Sequence, residues 1–375
     1  MPTYDPVLAC YQESENLDEL LERADAALQL PTTTARGMLV CLETDFLQLL
    51  DEHAPSTTEF RAAHPVSSEF EVLWSTVFSS CVRLHASDGT TGTLLSLRTA
   101  HPEVAFLMTL DSGPFYRASF RPFFASLSPW VATPFLTSSN LVTLLQHAKA
   151  DRRVSDLVIT DFASRSQIQH RRGTRKTRTE RTWTEESLDQ VVDLLQQSGR
   201  WLHSLAFKYR VKIGNQHQRC GSNVSRACQF RTKGNLSWFF RQVARDLSGM
   251  VAEKNRFLRD RGRNERADLS PRPVIIEYGE PLFQDKSQNE RLMTVLRKLE
   301  KAGLSVYHAN PYFRASLVDF VDGSSYDVWV LSESRVILTP QLRCTYASIE
   351  RVSNHILSAF AEGDMQDYRE AIGVT

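Results

Sequence analysis

His217, Cys220 and Cys228 fall within one short polar stretch, and a neutral imidazole with two thiolates can supply three of the four ligands of a tetrahedral zinc ion. Their spacing matches neither of the common paired-knuckle patterns, and His203 is one candidate for a fourth ligand. The competing expectation is an uncoordinated loop with two ordinary cysteines. No other cofactor is suggested. A second cluster, Asp319, Asp322 and Asp327, could hold a divalent metal if it served a nuclease or other phosphodiester enzyme, but no Glu-x-Lys follows it. As turn and strand-edge acids beside Gly323, the three need no chemistry. Neither Gly89 and Gly92 nor Gly323 is followed by the lysine of a phosphate loop, and no Gly-x-Ser-x-Gly elbow occurs. The expectation therefore leans away from catalysis.

Two α/β halves, a strand over 157–161 ending in Asp161, and a late strand with Asp319 followed by Gly323 and Ser324 resemble a degenerate phospholipase-D-like domain. Active members of that superfamily carry a His-x-Lys-x4-Asp motif. The matching positions here are Tyr312, Arg314 and Asp319, so the nucleophilic histidine is missing, and His308 reads as a structural residue. The resemblance covers at most residues 151–375. It implies a domain that keeps a phosphate-recognising surface without hydrolysis.

Cations form the strongest pattern. Arg171, Arg172, Arg175, Lys176 and Arg178 crowd one stretch; Lys208, Arg210 and Lys212 alternate on the next apolar run; Arg219, Arg226, Arg231 and Lys233 follow. Trp183, Trp201, Trp238 and Phe230 lie among them. Binding nucleic acid requires cations for phosphates and aromatic faces for bases, and both are present, though nothing indicates base-specific reading. Whole-chain composition hides this, because 44 Lys and Arg balance 44 Asp and Glu. Residues 1–150 hold 8 basic and 17 acidic side chains, residues 151–270 hold 25 and 13, and residues 271–375 hold 11 and 14. A basic middle between acidic ends can attract a polyanion, or it can pair with those ends within or between molecules. Anionic lipid ranks below nucleic acid, because the apolar face of the basic helix is needed for the fold.

These residues require elements to hold them. Helical spacing predicts helices over 17–28, 38–50 and 141–149, the last capped by Asn140. Strands are expected over 70–84, 104–110 and 154–162, followed by an exposed basic loop over 170–178. A helix then starts at Thr184 and closes at Gly199, a strand with one basic face spans 205–213, and a long basic amphipathic helix covers 235–261. The segment 113–136, rich in Phe, reads as core filling or as a contact surface. From 271 the pattern is β-α-β-β-β-β-α.

The expected class is α/β or α+β, with mixed sheets, flanking helices and two domains. Residues 1–150 form an acidic α+β domain, and the basic region 151–270 packs with 271–375. Arg117, Arg121 and four prolines between 113 and 136 exclude a spanning helix there. Six scattered cysteines and a start without signal-peptide features fit a reducing cytoplasmic or nuclear setting. The functional expectation is a non-catalytic nucleic-acid-binding or assembly component that grips the phosphate backbone, with a protein partner or self-association. The metal-dependent enzyme and the acidic–basic scaffold are the alternatives.

Overall fold

Two antiparallel sheets carry the chain. The computed structural model describes residues 5–53, 68–86, 89–169, 175–263, 271–309, 312–341 and 343–368. It has two units: Met1–Ala163, Arg181–Leu194 and Leu202–Ala252 form the first, and Ser164–Glu180, Leu195–Trp201 and Glu253–Thr375 form the second.

The first unit is built on a large sheet of β1 (Ala35–Leu42), β2 (Ser68–Ser75), β3 (Ser79–Ala86), β4 (Thr91–Arg98), β5 (Val104–Thr109), β6 (Val131–Ala132), β7 (Val154–Gln169), β8 (Arg175–Glu186), β9 (Arg200–Ile213), β10 (Gln216–Ser225) and β11 (Gln229–Lys233). The order is β2-β3-β4-β5-β1-β11-β10-β9-β7-β8, with β6 beside β1. The unit boundary falls within β7, β8 and β9. β1 is the seam, since β5 pairs along one side and β11 along the other, placing Gly37 opposite both Met108 and Phe230. The basic strands β10 and β11 therefore join the N-terminal sheet, where sequence order had grouped them with the C-terminal region. Sequential strands usually pair, but β1 pairs with β11 across roughly 190 residues, and position along the chain alone could not show this.

Met38, Val40, Val82, Leu84, Leu94 and Leu107 of this sheet pack against Phe115, Phe120, Phe123 and Phe124 of a helix over 113–126. The Phe-rich segment is thus core filling, each buried ring contributing about 1.5–3 kcal/mol of burial. Met38–Leu42, expected as helix, is strand, because its unbroken apolar run is buried on both faces. The helix Ser138–Ala150 is capped by Thr137, with Asn140 completing the capping box from the third position. The acidic helix Leu17–Leu28 supplies Asp25, whose carboxylate accepts the Ser237 N–H at 3.1 Å and so caps the basic helix over 236–259.

The second unit contains β12 (Val274–Glu277), β13 (Ala302–His308), β14 (Arg314–Asp319), β15 (Ser325–Ser332), β16 (Arg335–Pro340) and β17 (Asp364–Asp367), ordered β13-β14-β15-β16-β12-β17. Its pairs are antiparallel. Ala315, Leu317, Tyr326, Val328, Val336 and Leu338 are buried at alternate positions, as are Leu292 and Leu296 of the helix Lys286–Arg297 and Ile349 and Ile356 of the helix Tyr346–Ala359. The expected series of elements is present, with β17 added, and the class is α+β. Among the described residues, no helix is long and apolar enough to cross a membrane.

Candidate functional site

Strict alternation builds the site. Along β9, Leu205, Phe207, Tyr209 and Val211 are buried, while Lys208, Arg210 and Lys212 face outward. On β10, Cys220, Ser222 and Val224 are buried, and His217 and Arg219 face outward. Beneath them the Tyr209 hydroxyl lies 3.1 Å from Ser222 Oγ, which lies 2.8 Å from Thr232 Oγ1, so the buried polar atoms of three strands satisfy one another. Burial of the phenol pushes the Tyr209 hydroxyl well above its ordinary range.

Register then gathers the cations. Gly221 is opposite Lys208 on one side and Lys233 on the other; Asn223 is opposite Ala206 and Arg231. Small residues thus form a floor, and long cationic side chains rise on either side of it. No atom lies within 4 Å of where a Cβ on Gly221 would sit. The result is a concave cavity of about 650 Å³, lined by β7, β8, β9, β10 and β11. Four cations line it, Arg181, Lys208, Arg231 and Lys233, against one acid, Asp161, which holds Arg181 at 2.9 Å. Among the described residues, Lys208 and Arg231 have no carboxylate within ion-pair distance, and Lys233 reaches only the Pro31 carbonyl, at 3.3 Å. Beyond the cavity, Arg219 sits directly opposite Arg210, which pairs with Asp156 at 3.3 Å, and His217 opposite Lys212. Like charges facing each other across a sheet are destabilising, so such a surface suits an anionic ligand.

Of the four aromatics, Trp183 is the exposed one. It is 72% accessible on β8, two residues from Arg181, whose guanidinium lies 4.5 Å from the ring centroid. Trp238 and Phe230 are core residues: Trp238 donates to Asp151 at 3.0 Å, and Phe230 stacks on Phe106 at 4.3 Å. Trp201 is half-buried. Arg226 is fully buried, donating to the Leu136 carbonyl at 2.7 Å and lying over Phe135, and is unavailable to a ligand in solution.

The remaining candidates are dispersed. Arg171 and Arg172 lie outside the described residues. Arg175, Lys176 and Arg178 belong to β8, where an exposed loop was expected, and the following helix begins at Leu188 instead of Thr184. Alternation of Thr with Lys and Arg is a strand pattern in which neither face is apolar, so it reads as loop. The stretch from 216 to 233 is likewise hairpin, with a turn at Cys228 in the left-handed region, φ 52°. His217 and Cys220 are an odd number of residues apart on β10 and point to opposite faces. Burial pushes the Cys220 thiol up to about 12, away from the thiolate that zinc requires. Among the described residues, no three His, Cys, Asp or Glu side chains gather as a metal site, so these residues do not fit zinc.

In the second unit, Asp319 is buried, accepting from Arg351 Nε at 2.9 Å and Ser348 Oγ at 2.7 Å. Asp322 accepts the Ser324 N–H at 2.9 Å, and Asp327 accepts from Ser316 Oγ at 2.6 Å. Each acid is engaged in holding a turn or strand. Tyr312 is exposed, and Arg314 lies over the Trp329 ring at 4.2 Å.

Sequence reading missed Arg181 and Arg36, the latter opposite Arg231 on β1. A usable signal was present nearby: residues 194–245 contain Lys and Arg throughout and neither Asp nor Glu. Arg36 had no local signal, since only the β1–β11 pairing brings it to this surface. No protein-family model matches the chain, and no curated protein matches it in sequence.

Proposed function

We propose that the chain is a non-catalytic nucleic-acid-binding component that holds a phosphate backbone along the basic face of β9, β10 and β11. The observation that supports this reading most directly is the cavity floored by Gly221 and Ala206 and flanked by Lys208, Arg231 and Lys233, three cations without a carboxylate partner among the described residues. Lys208 and Lys233 stand on strands either side of β10, about 10 Å apart at the backbone given normal strand spacing, which suits an extended strand lying between them. Trp183, two residues from the cavity-lining Arg181 on β8, offers an exposed ring to an unstacked base. The preferred ligand is therefore single-stranded.

The test is binding of labelled single-stranded oligonucleotides over a salt series. Each phosphate contact contributes about 0.7 to the slope of log affinity against log salt. Lys208→Gln with Lys233→Gln should flatten the slope by about 1.4 and weaken binding similarly for all sequences. A slope near zero for the unaltered protein, or one unchanged in the double variant, would remove the groove as the binding surface.

A further inference from the structure

One end of the groove has chemistry that backbone contact does not require. Arg36 Nη1 donates to two backbone carbonyls, Thr34 at 3.2 Å and Asp111 at 2.9 Å, and these bonds fix the plane of its guanidinium. The other edge of the same group, Nε and Nη2, has no partner among the described residues. Its two nitrogens lie 3.7 and 3.8 Å from the point above Gly113 where a Cβ would stand, and Arg117 Nη1 lies 3.4 Å from that point. Two guanidiniums therefore converge on one small space that exists because residue 113 has no side chain. Arg231, directly opposite Arg36 across β1 and β11, lines the groove. The Asp111 carboxylate is turned away, accepting the Thr93 N–H at 2.5 Å, and neither Arg117 nor Arg231 has an acidic partner among the described residues. Partial burial, then Arg231, then Arg117, all lower the affinity of Arg36 for its proton, as expected of cations that repel one another.

The Nε–Nη2 edge of arginine presents two parallel donors matched to two oxygens of a phosphate or carboxylate. A phosphodiester in a chain carries one negative charge; a terminal phosphate carries nearly two at neutral pH. Two converging guanidiniums, with Arg231 on the neighbouring strand, favour the more highly charged group. Resting on the groove reading above, we propose that Arg36, Arg117 and Arg231 form a receptor for a phosphate monoester, the terminal phosphate of a nucleic-acid strand lying in the groove. A free phosphate compound has the same chemistry and is the other possible source.

The experiment uses the full chain and one oligonucleotide sequence prepared with a 5′-phosphate, a 3′-phosphate or hydroxyls at both ends. One phosphorylated end should bind about tenfold tighter than the hydroxyl-ended strand, the size of a charge-assisted contact. Arg117→Gln, a change at an exposed residue, should abolish that preference and leave the hydroxyl-ended affinity within about threefold. Equal binding of all three strands by the unaltered protein overturns the receptor, while salt-sensitive binding would still stand for the groove. Equal weakening of all three by Arg117→Gln overturns it too, since Arg117 would then be an ordinary backbone contact. If no oligonucleotide binds, inorganic phosphate decides: a rise in melting temperature that Arg117→Gln removes supports the receptor with a free phosphate compound as its ligand, and no rise overturns it.

Discussion

Trp183 exposes most of a large apolar ring, with a cation held at 4.5 Å from its centroid and the cavity beside it. Base stacking on such a ring is worth about 1–3 kcal/mol, and it involves no charge. Trp183→Leu should therefore weaken single-stranded binding roughly tenfold while leaving the salt slope unchanged, the opposite signature to that of the lysine variants; oligonucleotide titration at several salt concentrations separates the two. Asp151 is one residue whose titration is coupled to stability. Hydrogen bonds from Arg153 hold its carboxyl down to about 2, against burial, with Trp238 donating as well. A folded value below the unfolded one means the contribution is present above about pH 4 and is lost as pH falls toward 2. Urea denaturation at a series of pH values should show part of the acid-induced loss disappearing in Asp151→Asn, because the amide has no carboxylate to protonate.

At the scale of elements, β1 tolerates least change. A Cβ on Gly37 would lie 2.0 Å from the Leu107 carbonyl oxygen and 2.4 Å from the Phe230 ring, and the Gly37 carbonyl already accepts from the Tyr116 hydroxyl at 2.9 Å. Gly37→Ala should cost about 3 kcal/mol, read as a lowered denaturation midpoint. The elements that were legible in the sequence had one apolar and one polar face, as in the helix Leu17–Leu28 and β9, or turn residues marking their ends, as in β15 and β16. Those that were not lacked this contrast. β1 is apolar apart from Arg36, and β8 is polar apart from Trp183, so periodicity had little to act on. The candidate site was legible in part for the same reason. Lys208 could be named from its strand, and Arg231 and Lys233 from the cations that follow it, but their meeting across Gly221 depends on register, and Arg36 and Arg181 enter only through pairings between segments.

At the scale of the molecule, the charge asymmetry resolves into two parts. Some of the basic middle is neutralised inside the first unit, where Arg241 pairs with Asp18 and Arg210 with Asp156. Lys208, Arg231 and Lys233 lie outside this pairing, and a polyanion would meet them and not the chain's average charge. The seam strand has a consequence for synthesis. β11, which covers one of the two edges of β1, leaves the ribosome roughly 190 residues after it, a wait on the order of ten to forty seconds at cellular elongation rates. Throughout that interval a strand that is apolar from Met38 to Leu42 has an open edge, the condition under which nascent chains adhere to one another. A cell making this protein must shield that edge until Gln229 to Lys233 emerge, and chains interrupted before that point are the ones expected to occupy its chaperones.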